Sequence, residues 1–405
     1  MGELRVSGDA RQSDSAPRAP RVALVHDFLL DIRGAERVFL ELCEMWPEAD
    51  VFTAVYDLEG TEGRFANRTV KTSFLQRLHP TARTFRALLP LYPAAIESFD
   101  LRPYDLVISS SSAWAHAVVC DERSVHVSYC HNPFRYAWNE RHRTLARRRD
   151  PVTRAFLRGT LRRWRQWDWV AAQRTDRYVV NSRTTQARVR TYFGRESSIV
   201  YPPVETKRFS PGAVGGHHVV VSELMPHKDI DVAIEAFNSL RLPLIVIGDG
   251  PDFRRLRRLA GPTISFTGRL PDSAVAEILQ GARALVMTAV EEFGLVSVEA
   301  QAAGRPVIAR LGGGALETIV DGITGCFWSG GPAELARAVL ELDDAAVDSQ
   351  ACVRSAQRFD AAVFRRRMLA EVEDARGRDS RRSASDHHPH TARPRARQGT
   401  QDATH

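Results

Sequence analysis

Long apolar runs are absent from this 405-residue chain. No stretch approaches the roughly eighteen consecutive apolar residues that a transmembrane helix needs, so none is expected. Residues 1–20 interleave Arg, Asp, Ser and Pro without the apolar core of a secretory signal, and we expect them to form a disordered N-terminal extension. Cysteine is also scarce. The five cysteines form no C-x-x-C pair, which argues against a disulfide framework or a zinc site and favours a reduced, cytoplasmic protein.

The net charge of the chain is small when the two terminal segments are left out. The formal net charge of +7 includes +4 from residues 376–405, whereas residues 1–20 are neutral overall and residues 21–375 carry only +3. A nucleic-acid-binding protein is expected to carry its positive charge on the folded part. We therefore predict no nucleic-acid partner. The C-terminal segment 376–405, which contains Ser, His and Pro among its arginines, is interpreted as a disordered basic tail.

Short apolar segments alternate with helical patterns in two sets, which predicts α/β domains with parallel sheets. The predicted strands are residues 21–25, 50–55, 105–108, 124–129 and 177–180 in the first set, and 219–221, 244–247, 264–266, 284–287 and 307–309 in the second. A double proline, Pro202-Pro203, interrupts the alternation and marks a domain junction.

The predicted architecture is therefore two doubly wound, Rossmann-like domains that face a cleft. The first comprises residues 21–200 and the second residues 201–360. A helical pattern over residues 361–375 follows the second set with no strand to pair with, and it could pack back on the first domain. Ligands of such sheets bind beyond the carboxyl ends of the strands.

Two carboxylates, Glu291 and Glu299, are predicted to lie at one strand-to-helix junction. The apolar residues 284–287 precede them as a buried strand, and residues 295–303 follow as a short helix. A helix N-terminus binds a diphosphate through free backbone N–H groups, and carboxylates accept hydrogen bonds from sugar hydroxyls. Gly294 lets a ligand approach the backbone closely. The junction is typical of a nucleotide-sugar site; the alternative is an exposed acidic loop that caps a helix.

Other polar residues also follow predicted strands. His131, fixed by Pro133, could point into the cleft or could be a satisfied structural histidine. Lys228 lies near the same cleft edge as Glu291 and could neutralise a phosphate. The glycine run 312–314 lacks the G-x-G-x-x-G spacing, so a nicotinamide cofactor is not supported.

In this order and spacing, the motifs resemble those of glycosyltransferase family 4, which are retaining enzymes of the GT-B fold. The likeness covers residues 21–375 and is carried by Val25-His26-Asp27, by residues 130–138 (CHNPFRYAW) and by residues 298–309 (VEAQAAGRPVIA). Within the family the chain is most similar to bacterial mannosyltransferases of surface-glycan assembly. The resemblance implies transfer of a hexose, with mannose from GDP-mannose favoured, to a glycan or lipid-linked acceptor.

The resemblance also implies roles for individual residues. Glu299 would bind the donor ribose, and the catalytic pair would be Glu291, on the hydroxyls of the transferred sugar, and His131, near the reacting carbon. Lys228 would contact the diphosphate, and the other donor-binding positions would be Gly34, Phe293, Gly294 and Leu295. Residues 21–200 would be the acceptor side and residues 201–360 the donor side. No cofactor is expected, and metal would be dispensable because Lys228 and the helix terminus neutralise the leaving diphosphate. The D-x-D string Asp229-Ile230-Asp231 is accordingly interpreted as helix capping rather than a metal site.

Three positions depart from the family pattern. Glu223 stands where many relatives carry Arg, which would place an anion where the diphosphate needs a cation. Restoring Arg there is expected to raise donor affinity if the position faces the diphosphate. The Gly-Gly pair that is common in the first loop is here Arg33-Gly34-Ala35-Glu36, which leaves only one glycine, and Glu292 stands where Gly is frequent.

The acceptor side has two candidate regions. Residues 141–169 contain ten arginines interspersed with aromatic residues, which indicates either peripheral contact with an anionic membrane or a solvated arginine face whose tryptophans pack into the first domain. Residues 74–93 are the second candidate for contact with a lipid-linked acceptor. Two other functions stay open: a nucleotide-sugar epimerase on the same scaffold, and a non-catalytic sugar-nucleotide-binding partner protein.

Overall fold

A computed structural model describes residues 19–386, except residues 83, 147–149 and 344–346. The N-terminal extension predicted for residues 1–20 lies almost wholly outside the described residues, as do residues 387–405 of the predicted tail.

The first half of the described chain contains a parallel sheet of seven strands in the order β3-β2-β1-β4-β5-β6-β7. The strands are β1 (Val22–His26), β2 (Asp50–Thr53), β3 (Val70–Thr72), β4 (Leu106–Ser111), β5 (Val125–Cys130), β6 (Arg177–Val180) and β7 (Ser197–Ile199). The α-helices are α1 (Gly34–Met45), α2 (Tyr92–Glu97), α3 (Arg141–Ala146), α4 (Pro151–Ala172) and α5 (Arg183–Phe193).

The second half contains a parallel sheet of six strands in the order β10-β9-β8-β11-β12-β13. Its strands are β8 (His218–Val221), β9 (Leu244–Ile247), β10 (Ile264–Gly268), β11 (Leu285–Met287), β12 (Val307–Arg310) and β13 (Gly325–Trp328). The α-helices are α6 (Ile230–Leu240), α7 (Phe253–Leu259), α8 (Asp272–Gln280), α9 (Leu295–Ala302), α10 (Ala315–Thr318), α11 (Pro332–Asp343) and α12 (Ser349–Ala356). The predicted doubly wound α/β class is confirmed.

Strands β3, β7 and β13 were not predicted. Each is three or four residues long and lies at the edge of its sheet, where one side of the strand has no neighbour to pair with. β3 and β7 have no fully buried residue, so they show no apolar run, and β13 begins with Gly325. β3 and β7 therefore lack the hydrophobic signal on which strand prediction depends, whereas the apolar residues 326–328 of β13 are too few to mark a strand.

The last described helix, α13 (Ala361–Asp386), returns from the second sheet to the first. Its Phe364, Met368 and Val372 are buried in the core that lies between the first sheet and α1. The crossing is anchored where the chain leaves the first half, because the backbone N–H of Val204 donates to Phe359 O at 2.9 Å. The C-terminal segment thus joins the two halves a second time.

The helix α13 extends beyond the expected boundary at residue 375. It runs to Asp386, so the prediction of a disordered tail beginning at residue 376 was wrong for residues 376–386. The segment contains four arginines, which favour a helix, and Arg378 bridges to Asp374 one turn earlier at 3.0 Å. The positive charge of this segment was recognised from the sequence, but the ion pair within the helix was not.

In both sheets the order of the strands reverses between two central strands. In the first sheet the reversal falls between β1 and β4, and in the second between β8 and β11. Ligands of doubly wound sheets bind at such points. Among the described residues, no helix combines the length and apolar character needed to cross a bilayer.

Candidate functional site

The loops after β8 and β11 bring Lys228 and Glu291 together. The Lys228 ammonium forms an ion pair with the Glu291 carboxylate, and both side chains are mostly buried. The Thr288 hydroxyl, directly after β11, donates to Lys228 O at 2.6 Å and ties the two loops to each other. A cation and an anion therefore stand side by side at the carboxyl edge of the second sheet, as a diphosphate and a sugar hydroxyl would require.

Backbone geometry holds Glu291 in this position. Gly294 has φ +83°, and a Cβ there would lie 2.9 Å from Met287 Cε. The N–H of Gly314 donates to Glu291 O at 2.9 Å, and a Cβ at Gly313 would lie only 2.2 Å from that oxygen. The glycine run 312–314, which the sequence left without a role, is therefore a close-packed support for the Glu291 loop.

The side chain of Phe293 contributes to the core of the second domain. It is 3 % exposed, and its ring lies 5.7 Å from that of Tyr201 and 5.4 Å from that of Phe359, measured between centroids. Leu295 opens α9 immediately after Gly294. Only the backbone at Phe293 is thus available for a ligand, and the buried ring fixes the entry to the helix.

Glu299 lies on α9, about one turn inside the helix as predicted, with partners other than those of Glu291. Its carboxylate lies 3.5 Å from an Arg208 nitrogen and 4.0 Å from one of Arg37. Burial raises the pKa of Glu299 above its usual value, and the two arginines oppose that rise. The structure therefore places both acids on the α9 junction, but it gives each its own cationic partners.

In the first half, His131 begins a chain of buried hydrogen bonds that runs to Arg33 on the cleft loop. His131 Nε2 lies 2.9 Å from Ser110 Oγ, which lies 3.1 Å from His26 Nδ1. His26 Nε2 in turn lies 3.3 Å from Glu36, which accepts the backbone N–H of Arg33 at 3.0 Å. Burial, followed by the neighbouring His26, lowers the pKa of His131 to about 3, so its ring is neutral at physiological pH.

Asp27 organises the loop beside this chain. Its buried carboxylate accepts four backbone N–H groups, those of Ser112, Ala113, Trp114 and Ala115. Four such bonds satisfy the acceptor capacity of one carboxylate and hold the connection after β4 against the end of β1. The sequence singled out Val25-His26-Asp27 as a family motif but gave neither His26 nor Asp27 a structural role. No local pattern reveals partners more than eighty positions away.

The two halves touch directly at the cleft. A Cβ at Gly34 would lie 3.3 Å from Leu295 Cδ1, so the start of α1 lies against the start of α9. Glu292 bridges to Arg188 at 2.9 Å and to Arg135 at 3.8 Å, both of them in the first half. Although burial favours the neutral acid, these two arginines hold the pKa of Glu292 below its usual value. The Glu292 carboxylate therefore links the two halves across the cleft, which a glycine at this position could not do.

The geometry of this site revises two interpretations made from the sequence. Glu223 accepts a hydrogen bond from Arg33 Nη1 at 2.8 Å, so two of the positions that depart from the family pattern are partners of each other. Asp229 stands at the start of α6 but makes no capping hydrogen bond; it accepts from Arg310 at 2.6 Å, and Asp231 accepts from Arg255 at 3.0 Å. The capping interpretation of Asp229 was therefore wrong, because an arginine competes for the carboxylate.

Within the described ranges, no group of three or more His, Cys, Asp or Glu side chains is arranged to hold a metal ion. Independence of metal stays a prediction.

Both halves of the chain match sequence models of glycosyltransferases. Residues 32–208 match the sequence model described as Glycosyltransferase Family 4, and residues 215–358 match the one described as Glycosyl transferases group 1. Both halves of the chain are therefore glycosyltransferase domains, and the first of them is of family 4. The resemblance seen in the motifs is thereby confirmed.

Two of the similar proteins are named GDP-mannose-dependent α-(1-6)-phosphatidylinositol monomannoside mannosyltransferase. The protein from Mycolicibacterium smegmatis is 32% identical over 177 residues, which cover 36% of this chain and 46% of that one. The protein from Mycobacterium tuberculosis H37Rv is 34% identical over 203 residues, which cover 42% and 52%. The chain spans about half the length of these curated relatives.

Solved structures share the fold at low sequence identity. The Anabaena HepE protein in complex with UDP-glucose superposes with a TM-score of 0.65 at 18% identity, over 87% of this chain and 99% of that one. Sucrose-phosphate synthase from Thermosynechococcus elongatus superposes with a TM-score of 0.67 at 17% identity, over 91% and 100%. These likenesses establish the GT-B arrangement of two Rossmann-like domains.

Proposed function

We propose that this protein is a retaining glycosyltransferase that moves a hexose from a sugar nucleotide to a glycan or lipid-linked acceptor. The favoured donor is GDP-mannose, which the names of two relatives specify for those proteins. The observation that carries the proposal is the meeting of Lys228, Glu291 and the N-terminus of α9 at one edge of the cleft.

Each part of this edge suits one part of a nucleotide sugar. The backbone N–H groups at the start of α9 and the Lys228 ammonium can neutralise a diphosphate. Glu291 can accept hydrogen bonds from the hexose hydroxyls once Lys228 engages phosphate, and Glu299 can do the same for the ribose. His131, neutral because of its burial, can accept or donate a hydrogen bond at the sugar without adding charge.

The first experiment identifies the donor. Binding to the folded state raises the thermal midpoint of a protein, so the purified chain is heated with GDP-mannose, UDP-glucose and their free diphosphates. We expect the largest shift with the GDP-linked sugar, and slow release of GDP that depends on Glu291. A larger shift with UDP-glucose would reassign the donor, and no shift with any of these ligands would contradict the proposal.

The same incubations separate the alternative functions. Interconversion of the sugar while it stays attached to its nucleotide supports the epimerase. Saturable binding without nucleotide release, in the presence of a lipid or glycan acceptor fraction, supports the non-catalytic partner. Release of nucleotide with the sugar found on the acceptor supports the transferase.

We also propose that the acceptor side contacts an anionic membrane through α3 and α4. Most positions from Pro151 to Gly159 are exposed, including Val152 at 75% and Phe156 at 77%. Trp164 and Trp167 instead pack against the first domain, while Trp169 is half exposed. Exposed Arg residues accompany the outward apolar side chains, as in helices that lie on anionic bilayers.

A vesicle experiment tests this contact. Sedimentation with vesicles that contain phosphatidylglycerol is compared with neutral phosphatidylcholine vesicles, for the parent chain and for Phe156→Ser combined with Arg158→Gln. We expect binding to the anionic vesicles to fall at least about tenfold in the variant, because it loses one apolar anchor and one charge. Equal binding by variant and parent would contradict the contact.

A further inference from the structure

Arg33 crosses the cleft to an acidic residue of the opposite half. It lies in the connection between β1 and α1, and its Nη1 donates to Glu223 in the connection between β8 and α6 at 2.8 Å. Its Nε donates to Asp31 at 2.7 Å. The Arg33 side chain is 49% exposed, so the guanidinium is held at its position by two carboxylates without being enclosed.

This position is beside the edge that the donor diphosphate would occupy. Gly34, the next residue, lies against Leu295 at the first turn of α9, since a Cβ on Gly34 would be 3.3 Å from Leu295 Cδ1. Glu223 belongs to the same connection as Lys228. Arg33 therefore reaches, from the first half, the place where the second half presents a helix N-terminus and a lysine.

Three charged side chains of the second half lie at this edge. Lys228, in the connection after β8, is paired with Glu291, in the connection after β11, and Glu223 adds a second negative charge at the same edge of the sheet. A diphosphate at this edge would meet one ammonium and two carboxylates from the second half, which is an unfavourable environment for an anion. A guanidinium presents five N–H groups in a planar fork, so it can bind a carboxylate on one side and phosphate oxygens on another.

We propose that Arg33 is a donor-binding residue that contacts the diphosphate from across the cleft, with Glu223 as its positioning residue. The inference rests on the proposed function, because it names a further residue of the same donor site. The first half supplies the arginine, and the second half supplies the carboxylate that holds it. Since Arg33 and Lys228 come from opposite halves, one diphosphate would draw both halves together.

The test is a charge-exchange cycle measured by calorimetric binding of GDP, UDP and guanosine. Arg33→Ala should weaken GDP binding by about 10- to 100-fold, the range expected when charge-assisted hydrogen bonds to phosphate are lost. Guanosine, which has no phosphate, should bind the variant within about twofold of the parent. Glu223→Arg alone was expected from the sequence to raise donor affinity. Because Glu223 is paired with Arg33, the change sets two guanidinium groups against each other and should not improve GDP affinity.

The double variant Arg33→Ala with Glu223→Arg is the decisive member of the cycle. It returns one arginine to the site from the other half, and we expect GDP affinity within about threefold of the parent, since the number of cations is restored. The matched control is Arg365→Ala, which removes an arginine paired with Glu41 on α1 away from the cleft contacts. It should leave GDP affinity unchanged.

The outcomes distinguish failure of the proposed function from failure of the role assigned to Arg33. If the parent binds neither GDP nor UDP more tightly than guanosine, the diphosphate site is absent, and both the proposed function and the role of Arg33 are overturned. If the parent prefers the diphosphates but Arg33→Ala weakens them no more than guanosine, the proposed function stands and the role of Arg33 is overturned. A double variant no better than Arg33→Ala overturns the exchange of charge.

Discussion

The two halves of the cleft are built by different means. In the second half, Glu291 and Lys228 are positioned by neighbouring loops, by the turn at Gly294 and by the close-packed glycine run 312–314. In the first half, His131 is positioned by Ser110, His26 and Glu36, a chain of side chains whose members are far apart in sequence. One side depends on backbone geometry and the other on buried hydrogen bonds.

This difference predicts how the halves respond to substitution. A loop held by backbone contacts keeps its shape when one side chain changes, so the effect of a variant should stay with the chemistry of that side chain. A chain of buried hydrogen bonds transmits the loss of one member to the next, because an unsatisfied buried polar group is costly. Four variants test the contrast.

The largest effect is expected for Glu291→Gln in the second half. The amide keeps the shape of the carboxylate but loses its charge, so hydrogen bonds to the hexose hydroxyls and the pair with Lys228 weaken. We expect kcat/KM for the sugar nucleotide to fall about 100-fold, which corresponds to about 2.7 kcal/mol. Binding of the free nucleoside diphosphate should change little, because Glu291 is assigned to the sugar.

The control is Glu235→Gln, an exposed carboxylate on α6, which should leave kcat/KM unchanged. If Glu291→Gln weakens nucleoside diphosphate binding as strongly as turnover, Glu291 acts through the phosphate site, and its assigned contact with the hexose is wrong.

The next effect is expected for Ser110→Ala in the first half. This change removes the hydroxyl between His131 and His26, and we expect kcat to fall about tenfold, because the His131 ring loses the bond that orients it. Ser109→Ala is a matched control: Ser109 lies on the same strand and bonds His126 Nε2 at 2.8 Å, away from the chain to His131.

Ser109→Ala loses one buried hydrogen bond and should lose about 1 kcal/mol of stability, measured by urea unfolding. Ser110→Ala loses two and should lose about 2 kcal/mol. Losses of kcat in proportion to these losses of stability would show that activity follows stability alone, and that the chain from Glu36 to His131 has no positioning role.

The third test uses pH. The pKa of His131 is lowered by burial to about 3, so the folded state resists a proton that the unfolded state accepts near pH 6.5. The stabilising contribution is complete above pH 6.5 and is lost as pH falls toward about 3. Relative to His131→Gln, the parent should lose as much as about 1.4 kcal/mol of unfolding free energy per pH unit in this interval.

His126 sharpens this test, because burial also lowers its pKa to about 3. His126→Gln should flatten the pH dependence of stability to a similar extent but leave kcat unchanged, since His126 faces Ser109 rather than the chain to Glu36. Parallel stability curves for the parent and His131→Gln would show that His131 is protonated in the folded protein.

The same contrast explains what could be predicted from the sequence. The alternation of strands and helices gave the fold class, and the junction with Glu291, Gly294 and Glu299 was recognised because its parts are consecutive. The buried chain from His131 to Glu36 could not be found in this way, since its members lie on different strands and a helix. The pairing of Arg33 with Glu223 was missed for the same reason: each was noticed as an exception, but their contact depends on the approach of the two halves.

The smallest effect is expected for Gly34→Ala, where the two kinds of construction meet. The added Cβ would lie 3.3 Å from Leu295 Cδ1, closer than ordinary van der Waals contact, so the leucine or the cleft must yield by a few tenths of an ångström. We expect KM for the sugar nucleotide to rise about two- to fivefold, because a contact this tight costs only a fraction of the 1–3 kcal/mol typical of overpacked cores. Gly159→Ala is the control, since a Cβ there has nothing within 4 Å and lies on α4. If Gly34→Ala leaves KM unchanged, Leu295 adapts without cost, and the approach of α1 to α9 does not limit donor binding.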